Sequence, residues 1–190
     1  DHLVRAGVPE PLVIDACTGS GVVACSIAHE HPAARVVATE ISPDAAAVAR
    51  ENVERLGLAD RVTVVEGDLF DPVPADLART ATVVVSNPPY IPTADVVTLA
   101  EEILGFEPHL ALDGGADGLD VARRIMEESL AWLGQDGMLF MELDERRVED
   151  AANVMQRWYE DVRTVSDLSG RDRVVGGTVR QHPVRSGQQT

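Results

Sequence analysis

Asn87-Pro88-Pro89-Tyr90 presents a side-chain amide, proline carbonyls and a phenol ring in consecutive positions. Two successive prolines cannot donate to a sheet ladder, so pairing of the preceding run Thr82-Val83-Val84-Val85-Ser86 must stop there. Asn87, standing before a proline, is held in an extended conformation. The product is a stiff strand end that suits a flat group carrying N–H. Its oxygens accept the hydrogens while the ring covers the face. On these four residues alone, a proline-rich turn leaving a central strand fits equally well.

Three other segments point to a cofactor. Asp15-Ala16-Cys17-Thr18-Gly19-Ser20-Gly21 puts glycines where a backbone must turn into a helix close to a ligand. Glu40 ends a strand, where a carboxylate can accept both hydroxyls of a ribose. Asp68, after Gly67, is placed to accept the exocyclic amine of an adenine. A dinucleotide fold would show G-x-G-x-x-G with a helix N-terminus aimed at a pyrophosphate. Here the spacing is shorter, Cys17 replaces a glycine, and Asp15 sets a negative charge beside the turn. An acidic cradle repels phosphate and suits an ammonium and a sulfonium, which favours S-adenosylmethionine over a nicotinamide dinucleotide.

The elements that must position these residues follow from periodicity. Nearly continuous apolar runs predict buried strands over Leu12–Cys17, Arg35–Glu40, Val62–Val65, Thr82–Ser86 and Gly137–Leu143. Val22–Glu30 reads as a buried helix. Ser42-Pro43-Asp44 starts another, with a serine N-cap, proline at the first position and an acid at the positive dipole end. Ala45, Val48, Ala49, Asn52, Val53 and Leu56 share its predicted inner face, and Gly57 ends it. Leu69–Ala81 is an irregular connection with a short helix, and residues 91–118 form the longest irregular section. Helices follow over Leu119–Leu133, with Ala122, Ile125, Met126, Ser129, Leu130 and Leu133 inward, and over Glu145–Trp158. Val162–Leu168 and Arg173–Arg180 complete the strands with no helix between them. The expected fold is α/β: a doubly wound, seven-stranded, mostly parallel sheet with a C-terminal antiparallel hairpin. Residues 1–11 read as the remnant of an upstream helix or linker, 12–180 as one catalytic domain and 181–190 as a disordered tail. Because the chain opens at Asp1 rather than methionine, residues upstream of it are expected.

The formal net charge is −16, and every basic residue is arginine. Only Arg123-Arg124 and Arg146-Arg147 are adjacent, so no concentrated basic face exists for a nucleic acid or an anionic membrane. No apolar run approaches the ~20 residues that span a bilayer. Cys17 and Cys25 make no disulfide framework and read as reduced thiols, which places the protein in the cytoplasm.

At this point the residues resemble a known family, the class I methyltransferases that modify the side-chain nitrogen (N5) of glutamine in peptide-chain release factors. The resemblance covers about residues 12–180. It rests on Asp15 to Gly21, Glu40, Gly67-Asp68, and Val85-Ser86-Asn87-Pro88-Pro89-Tyr90-Ile91-Pro92. It extends through Gly105-Phe106-Glu107-Pro108, Ala111-Leu112, Gly114-Gly115-Ala116-Asp117-Gly118 and Gly170-Arg171-Asp172-Arg173-Val174-Val175. The tetrad is shared with enzymes that methylate amino groups of adenine and cytosine; the Phe-Glu-Pro and Gly-Arg-Asp-Arg segments single out the glutamine group. The resemblance implies a Rossmann-like fold, S-adenosylmethionine as cofactor and release factors as protein substrates of a monomer. Catalysis would fall to Asn87, Pro88, Pro89 and Tyr90. The cofactor would be held at the first strand end by Asp15, Cys17, Thr18, Gly19 and Gly21, at the second and third by Glu40, Ile41, Asp68 and Leu69, and by Asn87. No metal and no histidine base is implied.

The chain departs from the family's pattern in three places. The family's small helical domain ahead of the catalytic one is not among the 190 residues. Glu142-Leu143-Asp144-Glu145-Arg146-Arg147 stands where the family tends to have a glycine and, further on, a glutamine. Cys17 takes a position often held by glycine. The second departure keeps open an N-methyltransferase of a small-molecule amide or amine. A non-catalytic scaffold and a DNA methyltransferase are the other readings, opposed by the intact tetrad and by the net charge. Glu107 and the pair Arg171 and Arg173 either order the long loop or serve structure alone, the reading favoured here.

Overall fold

The computed structural model of the chain describes residues 7–97 and 109–180. The expectations for residues 1–6, for Gly105-Phe106-Glu107-Pro108 and for the tail 181–190 lie outside them. Strands β1 (Leu12–Ala16), β2 (Arg35–Glu40), β3 (Val62–Glu66), β4 (Ala81–Ser86), β5 (Leu133–Glu142), β6 (Tyr159–Ser166) and β7 (Asp172–Val179) form one seven-stranded sheet in the order β3-β2-β1-β4-β5-β7-β6. The first five strands in that order are parallel; β7 runs antiparallel to β5 and β6 antiparallel to β7. From β1 the chain winds outward through β2 to β3, then returns to lay β4 on the other side of β1. The switch point therefore falls between β1 and β4, where an open α/β sheet opens its ligand crevice.

Helices α1 (Val22–Glu30) and α2 (Pro43–Arg55) cover one face, and α5 (Asp120–Glu128) and α6 (Glu145–Met155) the other. Short helices α3 (Thr93–Val96) and α4 (His109–Leu112) lie in the long connection between β4 and α5. Successive strand side chains alternate between two apolar clusters: Val13, Val36 and Val83 pack under α1 and α2, while Ile14, Val37, Val84, Leu139 and Met141 face α5 and α6. Burying each such large side chain stabilises the fold by about 1.5–3 kcal/mol. Thus β1 and β4, apolar on both faces, are the scaffold for the crevice.

Several sequence expectations need correction. The helix predicted over Leu119–Leu133 ends at Glu128, continues as a 3-10 turn over Ser129–Ala131, and gives way to β5 at Leu133. Gly134 and Gly137 press against the Arg79 and Ala81 carbonyls, a close approach that lets β5 start early. The inner face of α2 is rotated from its predicted phase: Ala46, Ala49 and Val53 are buried, whereas Val48 and Leu56 are exposed. Small residues face inward because Gly21 of the β1–α1 turn packs on Ala49, where an added Cβ would lie 3.2 Å from the alanine methyl. Helix α1 is buried on one side only, through Ala24, Cys25 and Ala28, leaving Val22 and Val23 exposed. Helix α6 stops at Met155, and β6 starts earlier than predicted, at Tyr159. Tyr159 is fully buried, and its hydroxyl lies 2.6 Å from Ser129 Oγ and 3.0 Å from the Met126 carbonyl it donates to.

Candidate functional site

The strand register brings the first glycine turn and the proline tetrad side by side. Ala16 is the register partner of Ser86, and the buried Ser86 hydroxyl donates to the Ala16 carbonyl at 2.7 Å. One residue further out, β1 yields Cys17 and β4 yields Asn87. Cys17 adopts φ +60°, a left-handed conformation that glycine takes without strain. Burial pushes its thiol up to about 12, with the Glu40 charge adding to the effect. Cys17 is a packing residue of the turn that is poorly suited to nucleophilic attack.

The neighbouring strand ends are laced to the turn. Thr18 N–H donates to the Thr39 carbonyl at 3.0 Å, and Gly67 N–H to the Glu40 carbonyl at 2.9 Å. Asp15 is buried beneath the turn; it accepts the Thr18 hydroxyl at 2.5 Å and the Ala24 backbone N–H at the start of α1. Burial pushes its carboxyl up to about 7, with the Glu40 charge helping and the Thr18 and Ala24 hydrogen bonds opposing. Glu40 is held from both sides: Gly19 N–H donates to Oε2 at 2.8 Å and Ser42 N–H to Oε1 at 2.9 Å. Each of its oxygens keeps a second lone pair for a ligand hydroxyl. Ile41, beside it, is 44% exposed and offers an apolar surface, whereas the Leu69 side chain is buried in the core, leaving only backbone atoms there for a ligand. Gly19 and Gly21 both have positive φ, and a Cβ added at Gly19 would meet nothing within 4 Å. The turn thus leaves open space in front of a buried acid and a fixed one. These carboxylate acceptors fit a nucleoside bearing a cationic group, and among the described residues the turn Cys17–Gly21 itself carries no basic side chain for phosphate.

Asp68 does not stand alone. Arg124 of α5 lays its guanidinium across the carboxylate, at 3.2 Å to Oδ1 and 3.0 Å to Oδ2. Nothing in the local sequence around either residue predicts this pair.

The tetrad itself has an exposed Asn87, a buried Pro88, and half-buried Pro89 and Tyr90, the phenol packing against the α5/α6 core cluster. The segment Gly114 to Gly118 braces it from behind. Ile91 bridges Asp113: its N–H donates to the Leu112 carbonyl at 3.0 Å, and Gly114 N–H returns to the Ile91 carbonyl at 2.8 Å. A Cβ on Gly114 would stand 2.8 Å from the Pro89 carbonyl oxygen and from Tyr90 Cα, and one on Gly118 would collide with the Tyr90 carbonyl oxygen. The glycines are there because the backbone of the tetrad occupies the space of their side chains. Arg123 of α5 fastens this loop to the helix through Asp117 and also pairs with Asp120 at the helix start, and its hydrogen bond holds the Asp117 carboxyl at about 2.

Two positioning roles were not legible in the pattern. Asn52, by periodicity one more inward-facing residue of α2, donates its side-chain N–H to the Ser20 carbonyl at 2.9 Å and steadies the glycine turn. Its polarity on an apolar face was the available signal. Asp144, in the segment that departs from the family's pattern, is the N-cap of α6: it accepts the Arg146 N–H at 3.0 Å and pairs with Arg173 at 3.8 Å. Arg171 and Arg173 also reach Asp167, and Arg171 reaches Glu145. Among the described residues, then, these arginines tie the β6–β7 turn to the start of α6.

The described residues contain no helix long and apolar enough to cross a membrane. The family model of the methyltransferase small domain matches residues 2–116. A release factor glutamine methyltransferase of Geobacter sulfurreducens is 43% identical over 180 residues, which are 94% of this chain and 62% of that protein. A ribosomal protein uL3 glutamine methyltransferase of Burkholderia pseudomallei is 41% identical over 139 residues, 71% of this chain and 45% of that protein. This chain therefore spans only about half to three fifths of the length of these curated relatives. Among solved structures, an RNA methyltransferase from Salinibacter ruber in complex with S-adenosyl-L-homocysteine aligns with a TM-score of 0.60 at 27% identity, covering 97% of this chain and 91% of that one. The chain belongs to the methyltransferase small domain family.

Proposed function

We propose that this chain is the catalytic domain of an S-adenosylmethionine-dependent N-methyltransferase acting on the side-chain amide of a protein glutamine, with peptide-chain release factors as its substrates. The observation that carries this reading is the Ser86–Ala16 hydrogen bond, which seats an amide clamp beside an acidic glycine turn. Bound in the cradle, S-adenosylmethionine supplies a methyl carbon made electrophilic by its sulfonium. Asp15 and the Gly19–Gly21 turn receive the cationic end, Glu40 the ribose hydroxyls and Asp68 the adenine. The Asn87 side-chain oxygen and the Pro88 carbonyl accept the two amide hydrogens of the glutamine, and Tyr90 covers its plane. These contacts aim the nitrogen lone pair along one line, so that the rate enhancement comes from orientation and fixed dipoles. The free thiols Cys17 and Cys25 fit a cytoplasmic protein.

The departure that kept a small-molecule substrate open has a local explanation, since Asp144 caps α6. Both curated relatives described above carry glutamine methyltransferase in their names, one for release factors and one for ribosomal protein uL3. The deciding experiment incubates the full-length protein with methyl-labelled cofactor and either purified release factors or uL3. Label on one release-factor glutamine, abolished when that glutamine is replaced, is the expected result. Transfer to uL3 alone would change the substrate, and transfer to neither would sink the reading.

A further inference from the structure

The cofactor reading assigns the adenine amine to Asp68, yet Asp68 is already gripped. Nη1 and Nη2 of Arg124 stand 3.2 and 3.0 Å from its two carboxylate oxygens. The remaining nitrogen, Nε, donates to Glu128 at 3.0 Å, one turn further along α5. The guanidinium therefore bridges two acids and is engaged on both edges. An isolated exposed ion pair orients its members weakly, because either side chain is free to leave. A two-pronged pair whose arginine is anchored by a second carboxylate is a different object, with geometry fixed by the planar fork.

Helix α5 is fixed in turn. Arg123, the preceding residue, holds Asp120, the first residue of α5, and Asp117, in the loop whose glycines press on Pro89 and Tyr90. The adjacent arginines thus point to the two halves of the crevice, one to the tetrad's brace and one to the acid beyond β3. Each Asp68 oxygen uses one lone pair on Arg124 and keeps another. A carboxylate free to rotate can turn away from an acceptor brought against it. One that is clamped cannot, and an acceptor placed there meets an unmatched pair of lone pairs.

We propose that Arg124 is a positioning residue that sets purine specificity: by clamping Asp68 it makes the site accept a 6-amino purine nucleoside and reject its 6-oxo counterpart. The inference rests on the cofactor reading above. Arg124 contributes discrimination more than affinity, because the clamp changes which donors Asp68 tolerates and leaves the rest of the cradle as it is.

Titration calorimetry of the full-length protein with S-adenosylhomocysteine and S-inosylhomocysteine tests this, using wild type, Arg124→Met, Arg124→Lys and Glu128→Gln. A site built to hydrogen-bond its ligand penalises the mismatched analogue, so the wild type is expected to prefer the adenosine compound by about 30-fold or more. Arg124→Met and Arg124→Lys should reduce that ratio to about 3-fold, because neither presents a fork, and Glu128→Gln should reduce it part of the way. An unchanged ratio in both arginine variants overturns the proposal, and so does tighter S-adenosylhomocysteine binding by Arg124→Met, which would make Arg124 a competitor for Asp68. A wild type that binds both compounds equally refutes the clamp and leaves the cofactor reading standing. Binding of neither compound refutes the cofactor reading and this proposal with it.

Discussion

The Ser86 hydroxyl donates to the Ala16 carbonyl across 2.7 Å, joining residues 70 positions apart in the chain. Ser86 is the last residue of β4 and Ala16 the last of β1. The bond thus pins together the two strand ends at the switch point of the sheet. What leaves β1 is the glycine turn, and what leaves β4 is Asn87. The relative position of the glycine turn and the Asn87–Tyr90 tetrad is set by this contact and by the parallel register around it.

Asn87→Ala removes one acceptor from the clamp while leaving the cradle intact. Turnover on a protein glutamine is expected to fall by about 10²–10³-fold, the effect of losing one preorganised polar contact to the reacting group. Cofactor affinity should change by less than about 3-fold, since Asn87 is exposed and its truncation leaves Asp15, Glu40 and Asp68 unchanged. Single-turnover kinetics paired with calorimetry checks this; equal losses in both quantities would make Asn87 a structural residue.

Asp15 predicts two pH dependences of opposite sign. Its folded-state carboxyl is raised from 3.8 to about 7, so the folded chain holds a proton that the unfolded chain releases. The stability it contributes is complete below 3.8 and is lost as pH rises through about 7. A cationic cofactor prefers the ionised carboxylate, so affinity should rise by up to about tenfold per pH unit below 7 and then level off. Melting temperature and dissociation constant measured from pH 5 to 8 should move in these directions in the wild type, and Asp15→Asn should flatten both curves.

Gly114→Ala and Gly118→Ala push on the tetrad from behind. The Gly114 Cβ would stand 2.7 Å from the Gly118 carbonyl oxygen and 2.8 Å from that of Pro89, and Gly118 has φ +80° as well. Each change is expected to cost about 1–3 kcal/mol through forced backbone movement. Turnover should drop by at least about tenfold while S-adenosylhomocysteine affinity holds, because the displaced backbone belongs to the acceptor clamp. Normal turnover in both variants would show that the brace does not set the tetrad's geometry.

Tyr159→Phe removes the hydroxyl that faces Ser129 Oγ and the Met126 carbonyl. Ser129 retains its bond to the Ile125 carbonyl, so the loss is partial, about 1–2 kcal/mol of unfolding free energy in a urea titration. The residue lies in the α5/α6 core, so kcat/KM should stay close to that of the wild type. A change below ~0.3 kcal/mol would show that these buried hydrogen bonds contribute nothing net.

Local chemistry makes much of this protein legible in its sequence. The apolar runs of β1, β2 and β4 announce strands covered on both faces. Ser42-Pro43 start α2 as their capping chemistry requires, with Ser42 Oγ accepting the Ala45 N–H at 3.3 Å. The proline pair after Ser86 ends β4 where it must. Each of these depends on residues a few positions apart, and that is the range over which periodicity, caps and proline sterics act. The tertiary structure decided the rest. It rotated α2 so that Ala49 meets Gly21, turned Asn52 toward Ser20, ran α5 into a 3-10 turn, and set the glycines after Asp113 against the backbone of Pro89 and Tyr90. It also put Arg124 on Asp68, 56 residues away. Close approach and ion pairing between distant segments depend on which strands become neighbours, and no local pattern carries that information. The residue types able to form an amide clamp and an acidic cradle are written in the sequence; their adjacency arises only when β4 returns to lie against β1.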